Sequence, residues 1–554
     1  MKLIVKEYVK SLSERDELDR LVPDVLSQAG LHVFSEPRVM GRQHGVDVAA
    51  YGRLDGDSVD KVYLLSIKAG DLTRDTWNVG VNALRPSLDE ILDSYIGHML
   101  PNEYRGCPIV ICLCIGGMVH HLVQGDVAGY IANCQARRKD VIYKIWECDK
   151  IAELCVKYLM DERLAITVKS ESLGRCISLP DEIDYYMENF KKLIKDIFAS
   201  GEVDRTSSPE FHVQSLNLCL VILFHQSKVA GNLDGAYLAA ECALLMVWRH
   251  LGLSSVKKHR GKRLALFDQT YRLFFHIGRE YFSKIAFSFE KPFMFALSIP
   301  NASDEVDVNI RAFDVLGRLS SYAIALDEYI TKSQTALNDG YKTEIKNVLL
   351  MVAKMIVNVH TLETPLLDNQ LSSISQAVTL LVRHGKCDEV GNWILGIATS
   401  LLGCLMIHKG YPTIGCDYEQ LLDHVHINHD EEYRREVWPA TEILPFLYFI
   451  ANKLGRRDCL QKIQEIIQLI PDCAWQVWFP EVETESKFGE TEVQLTGRML
   501  YPVGVSGNQN CIVTIPSVAT SHSVKFSFEE TPYSGLVYIG CRRSSLPLPP
   551  WMWP

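Results

Sequence analysis

The chain has 554 residues, a formal net charge of -11, 47% hydrophobic and 23% charged residues. This balance excludes a disordered polymer and predicts about three folding units at ~150 residues each. The acidic balance excludes coating of nucleic acid through bulk charge, so any such contact must be local. The 16 cysteines run singly from Cys107 with no CxxC pair, which excludes a zinc ribbon and suits a reducing, cytoplasmic compartment.

The N-terminus carries charges every few residues and lacks the apolar stretch of a secretion signal. Leu18, Leu21, Val22, Val25 and Leu26 recur at helical spacing and predict a first helix over 13–29, ended by Gly30. Three strand-like runs follow, LHVFSEPRVM, GVDVAAYGRL and DKVYLLSIKAG. The turn-rich DGDS makes the second and third a hairpin. Next come a helix around SLDEILDSYIGHML, a buried strand PIVICLCIGG, a helix from about His121 to Arg137, the strand VIYKIWE and the helix DKIAELCVKYLMDERL. The order α-β-β-β-α-β-α-β-α predicts an α/β domain over 1–165, a mixed sheet flanked by helices.

From about Asp181 to Leu469 the strand signal disappears and long amphipathic segments predict a large all-α region, 175–480, with no tetratricopeptide or ankyrin signature and a solenoid-like character. Its uncharged stretch Val390 to Ile407 includes Asn392, Thr399 and Ser400 and is read as a buried core helix, with no membrane span. Beyond about Glu481, the runs VQLTGRMLYPVGV, CIVTIPSV, SVKFSFE and GLVYIGCR predict a small β-rich module, 481–554. Its Pro-rich tail should run extended, with Trp551 and Trp553 seeking burial.

The hairpin carries the chemistry. Asp47 lies between Val46 and Val48 and should point away from both, while Ser66 and Lys68 share the face opposite Leu65 and Ile67. Pairing across the hairpin brings Asp47 beside Ser66 and Lys68. A carboxylate and an amine there suit phosphodiester hydrolysis, which needs an oxygen nucleophile at neutral pH and relief of negative charge in the transition state.

A GxD strand, a hairpin and a φ-φ-S-φ-K-A-G strand after an acidic helix resemble the PD-(D/E)xK nuclease core, with the Mrr-like restriction endonucleases as the nearest branch, over roughly the first 165 residues. The resemblance implies a metal-dependent endonuclease, DNA as substrate, Mg2+ or Mn2+ as cofactor, and Asp47, Ser66, Lys68 and Glu17 as the catalytic set. The metal would rest on Asp47, the Ile67 carbonyl and Glu17 or Glu36. Ser66 stands where the family carries an acid or glutamine, which removes one ligating carboxylate. A nuclease fused to a large helical region resembles effectors of prokaryotic antiphage defence, held quiet by the helical part until a protein partner or ligand signals, and able to self-assemble. The rival reading is a degenerate nuclease fold serving as a nucleic-acid or protein binding module.

Arg42, Gln43 and His44 precede the GVD strand and could touch a phosphate or base. Lys61, Arg74 and Arg85 lie near the motif. Lys257, Lys258, Arg260, Lys262 and Arg263 form the densest basic run, of a kind that grips phosphates. His424, His426, His429 and Asp430 gather metal-capable atoms without a zinc spacing. Neither a P-loop nor a GxSxG elbow is present.

Overall fold

The computed structural model describes residues 2–12, 14, 18–35, 44–54, 56–79, 83–159, 171–203, 209–253, 260–333, 339–488, 497–500 and 524–554. They divide into two compact units, Met1–Ala239 and Ala240–Pro554.

The first unit is built on a five-stranded sheet whose strands lie side by side in chain order: β1 His32–Ser35, β2 Val48–Gly52, β3 Lys61–Lys68, β4 Ile109–Ile115 and β5 Val141–Trp146. The first three are antiparallel, and β3, β4 and β5 run parallel. This is the mixed sheet that the sequence predicts. Its topology brings the start of β2 and the ends of β3, β4 and β5 to one edge, where α/β sheets present their loops.

Flanking it are α1 Lys2–Ser11, α2 Asp19–Gln28, α3 Arg74–Asn78, α4 Leu84–Glu90, α5 His121–Arg137 and α6 Cys148–Tyr158, with a π-helical turn system at Ile91–Met99 continuing α4. The helix expected over 13–29 is α2, which starts only at Asp19, and α1 precedes it as a helix that was not expected. Val62 and Leu64 of β3 and Ile109, Ile111 and Leu113 of β4 pack with Leu88 of α4 and Val127 of α5 in one apolar cluster. On the other side α1 packs along α6, and α2 against β1, β2 and α6. With both faces covered, all seven residues of β4 are buried, which is why this strand reads as a continuous apolar run. Cys112 and Cys114 within it are fully buried and act as small hydrophobes. The rest of the unit is helical, with Glu171–Ser178, Ile183–Val203, Pro209–Ala230 and the first part of Asp234–His250.

The second unit is mostly helical, as expected, with its longest members at Arg260–Ile285, Glu305–Lys332, Asp339–Asn358 and Cys387–Met406. Among the described residues the last of these is the one helix long and apolar enough to cross a bilayer. It keeps a buried stripe of Val390, Trp393, Ile394, Ile397, Leu401 and Leu405 and packs along Arg457–Leu469. That suits the core-helix reading.

The C-terminal segment departs from the β-rich expectation. Val477–Pro480 pairs antiparallel with Gly497–Leu500, but GLVYIGCR is a helix, Leu536–Arg543. Leu536 through Cys541 are all buried, and a short run that is apolar all round has no period to separate helix from strand. SVKFSFE forms no strand among its described residues, and CIVTIPSV lies outside them. The tail meets its expectation in part: Trp553 is buried, its ring 5.2 Å from both Phe446 and Phe449, whereas Trp551 is half-buried and Pro550–Met552 forms a short 3-10 turn in place of extended chain.

Candidate active site

β2 starts one residue after Asp47, and Val48 pairs with Leu65 of β3. Strict alternation would set Asp47 beside Ser66. The structure corrects this: Val46 and Ala49, three residues apart, join the same apolar cluster, so the alternation slips between them. The Asp47 N–H donates to the Leu65 carbonyl at 2.9 Å, and its Oδ2 accepts the Ile67 N–H at 2.7 Å. The carboxylate therefore caps the end of β3. His44 and Gly45 make the turn with φ of 49° and 79°, and a Cβ on Gly45 would stand 2.0 Å from the Ser87 carbonyl oxygen. Only glycine allows that approach.

Ser66 follows Val62 and Leu64 by the period of two. It is 1% exposed, and its hydroxyl has no hydrogen-bond partner among the described residues. The residue at the position where the resemblance would expect an acid is thus walled in. The Ile67 N–H faces Asp47, and in an extended strand the carbonyl of the same residue turns to the same side, which suits the ligand role expected of it.

Lys68 reaches Glu14, Nζ to Oε1 at 2.9 Å, with the lysine side chain 13% and the glutamate 41% exposed. Glu14 lies between α1 and α2, and Asp19 opens α2. Burial pushes the Asp47 carboxyl up from 3.8 to about 6. The Ile67 N–H and the Lys68 charge pull it down, and the charges of Glu14 and Asp19 push it up. Two further carboxylates thus act on Asp47.

Glu14 and Asp19 are the residues that sequence reasoning missed. The run SERDELD holds acids at four positions, and spacing alone cannot select which of them turns inward. Glu17, the expected helix acid, and Glu36 lie outside the described residues, as do Arg42, Gln43, Lys257 and Lys258.

The hard oxygens of Asp47 and Ile67 fit Mg2+ or Mn2+ in kind, and a carboxyl held near pKa 6 by burial and like charge is one that a cation would relieve. They do not fit in number as they stand. Among the described residues no three Asp, Glu, His or Cys side chains converge on a metal position, and Glu14 is engaged by Lys68.

Other candidates find structural partners. Lys61 pairs with Asp57 at 2.7 Å, and Arg85 lies over the Tyr130 ring at 5.5 Å. Arg74 is exposed at the start of α3. Arg263 donates to the Leu251 carbonyl at 2.7 Å and Arg260 to the Ser527 carbonyl at 3.5 Å, which leaves Lys262 as the exposed side chain of the described run. The histidine group forms no metal site. His424 is buried with Nε2 2.7 Å from the Tyr411 carbonyl, His426 meets Asp304 at 2.7 Å, His429 stacks on Tyr433 at 3.8 Å, and Asp430 caps the Glu431–Val437 helix.

No family model, no curated protein and no solved structure matches the chain.

Proposed function

We propose that the first unit is a PD-(D/E)xK, Mrr-like nuclease domain that hydrolyses phosphodiesters, with DNA as its substrate. One observation carries this reading: Asp47 just before β2 and Lys68 at the end of β3 lie at the same end of the sheet, near enough for the lysine charge to act on the carboxylate, and an acid from the preceding helical segment, Glu14, reaches the same lysine. Asp47 and the Ile67 carbonyl would offer two oxygens to Mg2+ or Mn2+, and the helix acid that the resemblance implies, Glu17, would have to complete the set, since the described residues do not supply it. When bound, such a cation supplies charge relief for the phosphate and a lowered pKa for the attacking water. Lys68, which pairs with Glu14, would if freed hold a water and offset charge in the transition state. Ser66, walled in, takes no part beyond packing.

The helical second unit senses a signal and assembles, and the whole acts in the cytoplasm as an effector of prokaryotic antiphage defence, controlled by a protein partner or ligand. The layout of a nuclease joined to a large helical region supports this by resemblance. The buried Ser66 and the closed Glu14–Lys68 pair favour a second reading, a degenerate fold that binds nucleic acid or protein without cutting.

Incubation of the full chain with supercoiled plasmid, linear DNA and RNA in Mg2+ or Mn2+ separates the two. Metal-dependent cutting that falls at least ~100-fold in Asp47→Asn and Lys68→Ala is expected of the nuclease. Nucleic-acid binding without cutting, equal in all three proteins, supports the degenerate fold.

A further inference from the structure

Two carboxyl side chains stand together inside the second unit. Asp368 opens the turn Asp368–Gln370 and is 4% exposed. Its Oδ1 accepts the Trp438 indole N–H and the Thr441 hydroxyl, and its Oδ2 accepts the Glu442 N–H at 2.7 Å. Glu442 immediately precedes the helix Ile443–Lys453 and directly follows the short parallel ladder of Ala440–Thr441 with Ala474–Trp475. The Asp368 carboxylate therefore caps this helix, where unpaired N–H groups favour an anion. The Glu442 carboxyl has no such donor: its Oε1 is buried without a hydrogen-bond partner among the described residues.

Among the described residues neither carboxyl is drawn down by a cation. The buried cation of this region, Arg434, holds Asp472 at 2.6 Å and acts on the Cys473 thiol, which burial pushes up to about 12. Beyond Trp438 come Tyr411, its ring 6.0 Å away, and His424, 4.5 Å from Tyr411, whose imidazole burial holds towards its neutral form. The helix that follows the turn, Leu371–Arg383, carries charge only at Arg383, which pairs with Glu328. Ile443–Lys453 carries charge only at its last residue, and Cys387–Met406 only at Asp388 and Glu389. On Arg457–Leu469, Asp458 pairs with Arg456, Lys462 pairs with Glu465 and Arg457 is exposed. Burial and the Asp368 charge together push the Glu442 carboxyl well above the ordinary carboxylate range. Burial also raises Asp368, against the pull of its donors. Two adjacent buried carboxyls do not both ionise readily, so the pair keeps one proton, on the partner that lacks donors.

We propose that Asp368 and Glu442 share one proton, held on Glu442, and that this proton fastens the Asp368 turn to the start of the Ile443–Lys453 helix as a pH-operated latch. Base removes the proton to solvent and leaves two carboxylates side by side. Their repulsion then opens the bond between Asp368 and the Glu442 N–H. Ionising Glu442 is harder in the folded chain than in the unfolded one. Its contribution to stability is therefore intact below the ordinary value of 4.5 and is lost as pH rises towards the folded midpoint. The latch lies within the second unit and does not depend on cutting.

The full chain, labelled with carbon-13 at its glutamate carboxyls, is titrated from about pH 4 to pH 9, and the Glu442 resonance is assigned by its loss in Glu442→Gln. Its midpoint is expected well above 4.5, and lower in Asp368→Asn than in the parent, because that variant keeps an acceptor and loses the neighbouring charge. Hydrogen exchange over 438–446 reads the latch itself. Relative to Glu442→Gln, which carries no charge at either pH, the parent is expected to open at least ~10-fold more at pH 9 than at pH 6. If Glu442→Gln does not fold, the glutamate resonance that titrates late and moves in Asp368→Asn serves in its place, and the absence of any such resonance overturns the proposal. A Glu442 midpoint near 4.5, a midpoint unmoved by Asp368→Asn, or the same pH dependence of exchange in the parent and Glu442→Gln would overturn it equally.

Discussion

The two units handle buried polarity in opposite ways. In the first, Ser66 is the one fully buried polar side chain among the described residues of the sheet, and the charged groups gather at the strand ends, where Asp47 and Lys68 lie. In the second, charge is taken into the helical interior. Asp368, 4% exposed, accepts from Trp438 Nε1 at 3.2 Å, from Thr441 Oγ1 at 2.7 Å and from the Glu442 N–H at 2.7 Å. Glu241, with no exposed surface, meets Arg542 of the C-terminal helix. Charges at a strand edge remain free to meet a ligand; charges inside a helical core fix which segments pair.

The largest effect should come from removing residues 524–554. Tyr533 lies 4.9 Å from Phe267 and 5.2 Å from Tyr271, Gln376 donates to the Tyr538 carbonyl at 2.8 Å, and Gly535 and Gly540 approach Ala325 and Phe488 too closely for a Cβ. The truncated chain should lose the cooperative unfolding of its second unit, a loss of more than ~5 kcal/mol. An unchanged helical signal and urea midpoint would show that this segment merely decorates the core.

Asp368→Ala comes next. It strands three donors in the interior and should cost about 3–5 kcal/mol in urea unfolding, whereas Asp368→Asn, which keeps an acceptor, should cost less. Equal losses in the two variants would remove the special role of this carboxylate.

At the strand edge the sign reverses. The Asp47 carboxyl has a folded pKa of about 6 against an ordinary 3.8, so the folded chain binds the extra proton between those values and stability falls as pH rises through that window. The ionised carboxylate costs about 3 kcal/mol at pH 7. Asp47→Asn keeps an acceptor for Ile67 and should therefore stabilise the first unit near neutral pH while ending any cleavage, with the gain shrinking towards pH 4. A variant less stable than the parent at pH 7 would contradict the assignment.

The smallest contrast lies in the basic run. Arg263→Ala should cost about 1 kcal/mol through its lost bond to the Leu251 carbonyl, and Lys262→Ala less than ~0.5 kcal/mol. Thermal unfolding of the two variants checks this, and equal effects would place both residues in the same solvated role.

Much of the first unit was legible because period-two alternation, turn residues and fully apolar strands are local signals. β2, β3, β4 and β5 lie where their runs predict, and Asp47 and Lys68 lie at the same end of the sheet. The slip in alternation at Asp47 was not legible, since it depends on Gly45 meeting the Ser87 carbonyl, a contact from 42 residues further along the chain. Glu14 was hidden beside three neighbouring acids, Asp16, Glu17 and Asp19. In the second unit the helices were legible and their closure was not. Leu536–Arg543 reads as a strand until its burial among other helices is known, and nothing local marks Glu241 as the partner of Arg542.

Binding of Mn2+ to the full chain, followed by its paramagnetic signal at pH 7, tests the candidate active site most directly, because it needs neither substrate nor activator. A site that is lost in Asp47→Asn, weakened in Glu14→Gln and released as pH falls below about 6, where Asp47 takes up its proton, is expected of a metal-dependent nuclease centre. Absence of binding, or binding unchanged by both substitutions, would contradict it and leave Asp47 and Lys68 as a capped strand end.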